Sequence, residues 1–350
     1  MKQKWFNKNP KKTLLISNIL GLTVLILFSE ILVRIFVPEI IPIGVSKNLF
    51  RYNVYGDTFA NSKSTEAIAV GKKIYTDNNG FRIDPHTDYG YKKDKRSLFF
   101  VGDSMTFGYG VSAEKTFVEF INRNSPDYKI VNAAVLGYNL HDYRNFIDYY
   151  IIKNKAVENS SYVVMSLCLN DFNLDLLPKS DILRHQSQYT TKDVFLINKL
   201  KSIHIFFALN NFLRRTSRLY LFLKSLFEDT SARYFITDAR LHNPDKKNYQ
   251  EGLEILRYIS EILSENRIKF KVILFPYEYQ LRTNDHLTPQ ENLKNFFSQY
   301  HIEYIDLYDY LLNHIRDNKI EANKLFLYND STHFSEFGHQ VISKYLLNNL

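Results

Sequence analysis

A single cysteine, Cys168, stands among 350 residues, so the chain can form no internal disulfide and no zinc site built on several thiolates. Basic residues are in excess only at one end. The formal charge is +8, and Lys2, Lys4, Lys8, Lys11 and Lys12 carry more than half of it. What remains is an ordinary surface balance that makes no case for a nucleic-acid partner. Internal repeats and low-complexity tracts are absent as well. With 45% hydrophobic and 15% aromatic residues, the composition excludes a disordered chain. The length allows one main domain with an appendage.

Charge is also missing from Thr13 to Ser29, and ILVRIFV extends this apolar run to Val37. Residues 13–37 are long enough to span a bilayer and are read as one transmembrane helix. Glu30 and Arg34, four apart, can pair on one helix face near its end, where long side chains reach the interface. Lysines before the span predict that residues 1–12 form a cytoplasmic tail and that the rest lies across the membrane, periplasmic or at the cell surface. A cleaved signal peptide is the rival reading. It would have a shorter apolar region and small residues at a cleavage site, which EILVRIFVPEIIPIG does not offer. A buried core helix would be unusually long at this apolarity.

Residues 38–96 are polar and turn-rich, and KKIYTDNNGFRID suggests hairpins of short strands. From residue 97 onward five short apolar runs, SLFFVGDS, YKIVNAAV, SYVVMSLCLND, FKVILFPY and IEYIDLY, alternate with helical patterns. Such a rhythm predicts an α/β fold with a buried parallel sheet. Helices are expected over 117–124, 142–155, 248–266 and 334–349, the third with Leu253, Leu256, Ile259 and Leu263 on one face. Residues 175–245 break the rhythm as an insertion far longer than the usual connection. Its apolar pattern, studded with Lys199, Lys201, Arg214, Arg215, Arg218 and Lys224, fits a lid over the site, a basic amphipathic surface on lipid headgroups, or plain packing on the main domain.

The residues that can do chemistry fall at strand ends. Ser104 follows SLFFVGD and opens a helix-like stretch, so it stands at a strand's carboxyl end, where open parallel sheets bind ligands and a helix presents free N–H groups. Near the C-terminus, NDSTHF places Asp330 three residues before His333. In a turn the carboxylate can bond one imidazole nitrogen and leave the other as a base for a serine. Gly137 and Asn170 follow the next two strands, where a backbone N–H and a side-chain amide could hold an oxyanion. Each of these alone reads equally as a turn residue or a helix cap. Asp330, His333 and His339 could also be weighed as metal ligands, but no further donor cluster accompanies them.

Taken in order, Gly-Asp-Ser, Gly, Asn-Asp and Asp-x-x-His resemble the four sequence blocks of the SGNH hydrolases, the GDSL esterases and lipases, over residues 99–350 apart from the insertion. The resemblance implies a flavodoxin-like three-layer α/β/α sandwich. It also implies catalytic Ser104, His333 and Asp330, with Ser104, Gly137 and Asn170 forming the oxyanion hole. The span followed by NNGFR and GDSMTFGYGV is similar to membrane-anchored bacterial members, some of which move or remove acetyl groups on exported or cell-wall glycans. One position departs from the pattern: Cys168 stands where the third block usually has glycine, which predicts a tighter wall beside Asn170.

The expected activity is therefore that of a serine ester hydrolase working through an acyl-Ser104 intermediate, with no cofactor and no metal. An O-acetyltransferase reading remains beside it. So does a catalytically silent module that partners a multi-span membrane acyltransferase. The expected substrate is an acylated carbohydrate or lipid. GDSMTFGYG lacks the GK[ST] ending of a phosphate-binding loop, and GDS is not the GxSxG elbow of the α/β-hydrolases.

Overall fold

The computed structural model describes residues 8–87, 95–153, 161–175, 204–284 and 287–350. Helix α1 (Pro10–Phe36) has 27 residues and starts on a proline, whose missing N–H would have found no acceptor in the first turn anyway. Only Val33 of this helix is buried. Among the described residues it is the one helix long and apolar enough to cross a membrane.

Two antiparallel pieces follow. Strands β1 (Phe50–Tyr55) and β2 (Thr58–Asn61) form a separate ribbon. Strands β3 (Glu66–Ala69), β4 (Lys72–Thr76) and β5 (Arg82–Ile83) form a meander that extends the main sheet. The turn between β4 and β5 is fixed by Asp77, whose Oδ1 accepts the N–H groups of Asn79 at 2.8 Å and Phe81 at 2.9 Å. That turn delivers Arg82 to β5, where it pairs with Asn132.

The five apolar runs all become strands: β6 (Arg96–Val101), β7 (Tyr128–Asn132), β8 (Tyr162–Leu167), β9 (Lys269–Leu274) and β10 (Glu303–Asp306). Their sheet order is β10-β9-β8-β6-β7, all parallel. Numbered from β6, this is 2-1-3-4-5, the flavodoxin-like doubly wound order. The chain leaves β6 toward one side, to β7, and returns to the other side as β8. A crevice therefore opens between the carboxyl ends of β6 and β8, where such sheets hold ligands.

The central strands β6 and β8 are buried on both faces, as their near-continuous apolar runs require. Phe99 and Val101 of β6 face one core, with Leu256 and Ile259 of α8 (Lys247–Glu265) and Leu293 and Phe297 of α10 (Thr288–Gln299). Leu98 and Phe100 face the other, with Phe117 and Ile121 of α3 (Phe117–Asn124), Leu311 of α11 (Tyr308–Asn318) and Ile342 of α12 (Glu336–Leu346). The result is a three-layer α/β/α sandwich.

Helix expected over 142–155 is instead α4 (Leu140–Phe146) continued by a π-helical stretch, Ile147–Lys153. The wider turn accompanies a parallel stack of Tyr150 on Phe146, with centroids 5.3 Å apart. It also keeps Ile147 and Ile151 in the core. Within the insertion, α5 (His204–Thr216), α6 (Arg218–Phe227) and α7 (Thr230–Ala239) are described, whereas residues 176–203, with Lys199 and Lys201, lie outside the described residues. So do Lys2 and Lys4 of the basic tail.

Phe100 is 0% exposed at the centre of one core. Phe100→Ala is expected to lower unfolding free energy by about 3–5 kcal/mol, through lost burial and the cavity left behind. Urea denaturation followed by far-UV circular dichroism measures it.

Candidate active site

Strand β6 ends in the sequence Gly102-Asp103-Ser104, and the short helix α2 (Ser104–Phe107) begins at once. Asp103 caps it, its Oδ1 accepting the Met105 N–H at 2.8 Å. As the first residue of a helix, Ser104 has an N–H with no intrahelical acceptor. The turn that ends α2 needs Gly108, whose φ is +87° and whose added Cβ would come within 2.4 Å of the Thr116 side chain. Ser104 itself is half-buried.

From the far end of the chain, the turn after Leu327 brings His333 to this serine. His333 Nε2 lies 2.7 Å from Ser104 Oγ. Its Nδ1 lies 3.0 Å and 2.9 Å from the two Asp330 carboxylate oxygens. Asp330 is locked by its own turn, since Oδ1 also accepts the N–H groups of Thr332 and His333, both at 2.9 Å. With Nδ1–H donating to Asp330, Nε2 is left as an acceptor toward the serine hydroxyl. Tyr109 lies over the imidazole, ring centroids 4.2 Å apart.

Electrostatics tune the pair in opposite directions. Burial alone would raise Asp330, but the charge of His333 and the hydrogen bonds from His333 and Thr332 outweigh it and hold the carboxyl below its usual range. Burial alone would lower His333, but the Asp330 carboxylate, its hydrogen bond and the charge of Asp103 prevail and raise the imidazole above its ordinary value.

Asn170 sits in the 3-10 turn Leu169–Phe172 directly after β8. Its Nδ2 donates to Asp103 Oδ2 at 3.3 Å, and Ser104 Oγ reaches the same oxygen at 3.3 Å. One carboxylate oxygen thus joins the amide and the hydroxyl. Gly137 occupies a turn closed by Tyr138 N–H on Val135 O at 3.2 Å. Its φ of +75° is the third-position geometry of a type II turn, which favours glycine. Val135 N–H in turn bonds Gly102 O at 3.1 Å, so this turn runs beside the end of β6.

Beneath Asn170 lies a buried polar layer. Asp171, 0% exposed, accepts the Cys168 N–H at 2.7 Å and the Tyr143 hydroxyl at 2.8 Å. Burial, reinforced by the charge of Asp103, pushes Asp171 well above the usual carboxylate range. Tyr277 donates to Asp238 Oδ2 at 2.8 Å and reaches Asn170 Oδ1 at 3.5 Å. Burial raises Asp238 to about 7. Just past α7, His242 Nε2 lies 2.9 Å from Leu169 O. Burial lowers that histidine to about 4, so it is a neutral donor at physiological pH. Through Asp238 and His242 the insertion therefore fixes the turn that carries Asn170. Cys168 is buried in the same core cluster as Phe275 and Tyr277, and its thiol is within hydrogen-bond reach of Tyr277.

Two neighbours of this site, Arg82 and Tyr109, went unassigned in the sequence, and a third, His339, has another part than a metal ligand's. Arg82, from NNGFR, is buried and donates to the carbonyls of Phe107, Gly108 and Val111, stapling the loop that follows the serine helix. The NNG turn beside an arginine is the signal that could have found it. Tyr109 carried none. His339, weighed above as a metal ligand, uses Nδ1 to accept the Phe117 N–H at 3.2 Å and stacks on that ring. Burial, aided by Arg82 and His333, lowers it to about 3. It ties α12 to α3 as a neutral core histidine.

No protein-family model matches the chain, and no curated protein does. Solved structures similar to it include a lipolytic protein of the G-D-S-L family from Desulfitobacterium hafniense. That match has 13% identity and a TM-score of 0.40, covering 73% of this chain and 100% of the other. The acetyl xylan esterase AlAXEase is 14% identical at a TM-score of 0.43, over 73% of this chain and 99% of that one. The acetylxylan esterase Axe2 from Geobacillus stearothermophilus is 12% identical at 0.41, over 72% and 93%. All lie below a TM-score of 0.5, and the reading of the site stands on its own distances.

Three outcomes follow from the geometry. Labelling of Ser104 by a fluorophosphonate needs neutral His333, so its rate falls as pH drops through a value above the ordinary histidine value of about 6.5. Asp330→Asn removes the larger of the two charges that raise His333 and leaves the lesser effect of Asp103 against burial. The acid limb should then move to lower pH while the plateau rate drops roughly 10⁴-fold. Arg82→Met leaves three carbonyls without their donor and is expected to cost more than about 3 kcal/mol in urea unfolding, at about 1–3 kcal/mol per unsatisfied group.

Proposed function

We propose that this chain is a serine ester hydrolase of the SGNH type that removes O-acyl groups, O-acetyl foremost, from a glycan outside the cytoplasm. The observation that carries the reading is the line of contacts from Asp330 through His333 to Ser104, 2.9 Å and 2.7 Å, at the mouth of the β6/β8 crevice. The four sequence blocks support the ester chemistry. The lysine-rich start and the apolar α1 support an anchored enzyme with residues 1–12 in the cytoplasm. In this reading residues 13–37 are the anchor and 97–350 the catalytic part.

His333 Nε2 takes the Ser104 hydroxyl proton as Oγ attacks the ester carbonyl. The carbonyl electrons move onto oxygen, and the oxyanion is held by the N–H groups of Ser104 and Gly137 and by Asn170 Nδ2. In the resting site one N–H of Asn170 Nδ2 rests on Asp103, which orients the amide and leaves its second N–H for the oxyanion. As the tetrahedral intermediate collapses, the bond to the alcohol breaks and His333 returns the proton to the departing sugar oxygen. Water, deprotonated by His333, then attacks the acyl-Ser104 carbonyl, and the acid leaves as the hydroxyl is restored. Asp330 orients the imidazole and stabilises its charged form throughout.

The full-length protein in detergent is expected to release acetate from an acetylated oligosaccharide. Asn170→Ala should lower turnover by about 10²–10³-fold, the usual cost of one oxyanion donor. Ser104→Ala should abolish release, and wild-type release by that variant would overturn the reading. Acetyl recovered on an added sugar hydroxyl would mark transfer as the native outcome.

A further inference from the structure

The α5–α6 hairpin has a surface the proposed chemistry does not use. Phe206, Leu209 and Phe212 of α5 follow one another at i+3 spacing and are exposed, as are Leu223, Leu226 and Phe227 of α6. Phe212 is 61% and Phe227 89% exposed. Between residues 204 and 227 the chain carries Arg214, Arg215, Arg218 and Lys224 and no acidic residue. Lys224 pairs with Glu228 just past the end of α6 at 3.2 Å, and the arginines give the exposed apolar face a cationic border that suits the boundary between acyl chains and anionic headgroups.

The position of the hairpin is set by α1. Thr13 to Ser29 is uncharged and spans about 25 Å at 1.5 Å per residue, against a hydrocarbon core of about 30 Å. Glu30 and Arg34 therefore fall where the hydrocarbon ends. These two residues grip the turn between α5 and α6. Glu30 accepts from Ser217 Oγ at 2.8 Å, Arg218 N at 3.0 Å and Leu219 N at 2.9 Å. Arg34 pairs with Glu30 at 2.8 Å and donates to Thr216 O at 3.1 Å. Ile43 N–H on Arg214 O, 3.0 Å, adds a backbone tie. On the site side, Ser225 Oγ of α6 lies 3.0 Å from the hydroxyl of Tyr328, two residues before Asp330.

We infer that the α5–α6 hairpin lies in the headgroup layer of the bilayer that α1 crosses, its phenylalanines and leucines entering the acyl boundary and its arginines meeting anionic phospholipid. The inference rests on reading α1 as a membrane span. It holds the Ser104 crevice against that surface, within reach of esters presented there.

Depth-dependent fluorescence tests it in the full-length protein, reconstituted in phosphatidylcholine–phosphatidylglycerol nanodiscs. With Trp5→Phe removing the one native tryptophan, single reporters are placed by Phe212→Trp, Phe227→Trp and, in mid-span, Leu25→Trp. Lipids brominated near the headgroup end of the acyl chain are expected to quench the 212 and 227 reporters more than lipids brominated deep in the chain. The Leu25 reporter should show the reverse. Leu226→Cys carrying an environment-sensitive label, practicable because Cys168 is buried, gives an independent reading should a tryptophan variant fail to fold. Hairpin reporters open to aqueous acrylamide and untouched by bromolipid, beside a quenched Leu25 reporter, would overturn the inference and leave the span intact. An unquenched Leu25 reporter would overturn the span and the inference with it.

Discussion

Asp103 is the side chain on which the site depends. Its Oδ1 ends the free valence of a helix that starts without a linker after β6, and its Oδ2 meets both the Ser104 hydroxyl and the Asn170 amide. Those two partners come from opposite sides of the topological switch, one after β6 and one after β8. A single carboxylate therefore converts a strand order into a spacing between functional groups. Its negative charge also acts beyond its contacts, helping to raise His333 and to keep Asp171 and Asp238 protonated more readily than usual. Acceptor and field are the same group.

The central sheet was legible because strands covered by helices on both faces carry apolar runs, fullest in β6 and β8, and five such runs stand out from helical surroundings. Ser104, Asp330 and His333 were legible for a local reason. Asp-x-x-His closes its own turn, and a serine after an apolar strand advertises its place at the carboxyl edge. Arg82 was not, because its partners are backbone carbonyls 25 to 29 residues away, and a carbonyl has no letter in the sequence. The Tyr277–Asp238 pair escaped for a related reason: neither residue sits in a motif, and each has meaning only once α7 is packed over β9's end. The π-helical turn after Phe146 likewise depends on which side chains the sheet accepts, which periodicity alone does not register.

The segment before the parallel sheet also changed its meaning on folding. Residues 38–96 read as a run of hairpins, yet β3 to β5 are hydrogen-bonded into the same sheet as the crevice, beyond β7. Its Arg82 reaches under the serine helix. The part of the chain that directly follows α1 is thus structurally continuous with the loop behind Ser104. The insertion approaches from the other direction, holding the Asn170 turn through Asp238 and His242. Both halves of the crevice are buttressed by pieces outside the doubly wound core.

Glu30 carries one more implication, for the order in which the molecule can be completed. A helix begins with four N–H groups that lack partners. In α6, Ser217 satisfies Tyr220 N–H at 3.0 Å, while Arg218 and Leu219 rely on a carboxylate almost two hundred residues earlier in the chain. The start of α6 is therefore finished by α1 as well as by its own sequence. Newly made chain would have to wait for that docking, and a protein cut free after Val37 would keep its sheet and its serine but leave the start of α6 open to water, a loss of about 1 kcal/mol by the usual worth of a cap. In this fold α1 behaves less as an appendage than as a scaffolding part, left in place when the building is done.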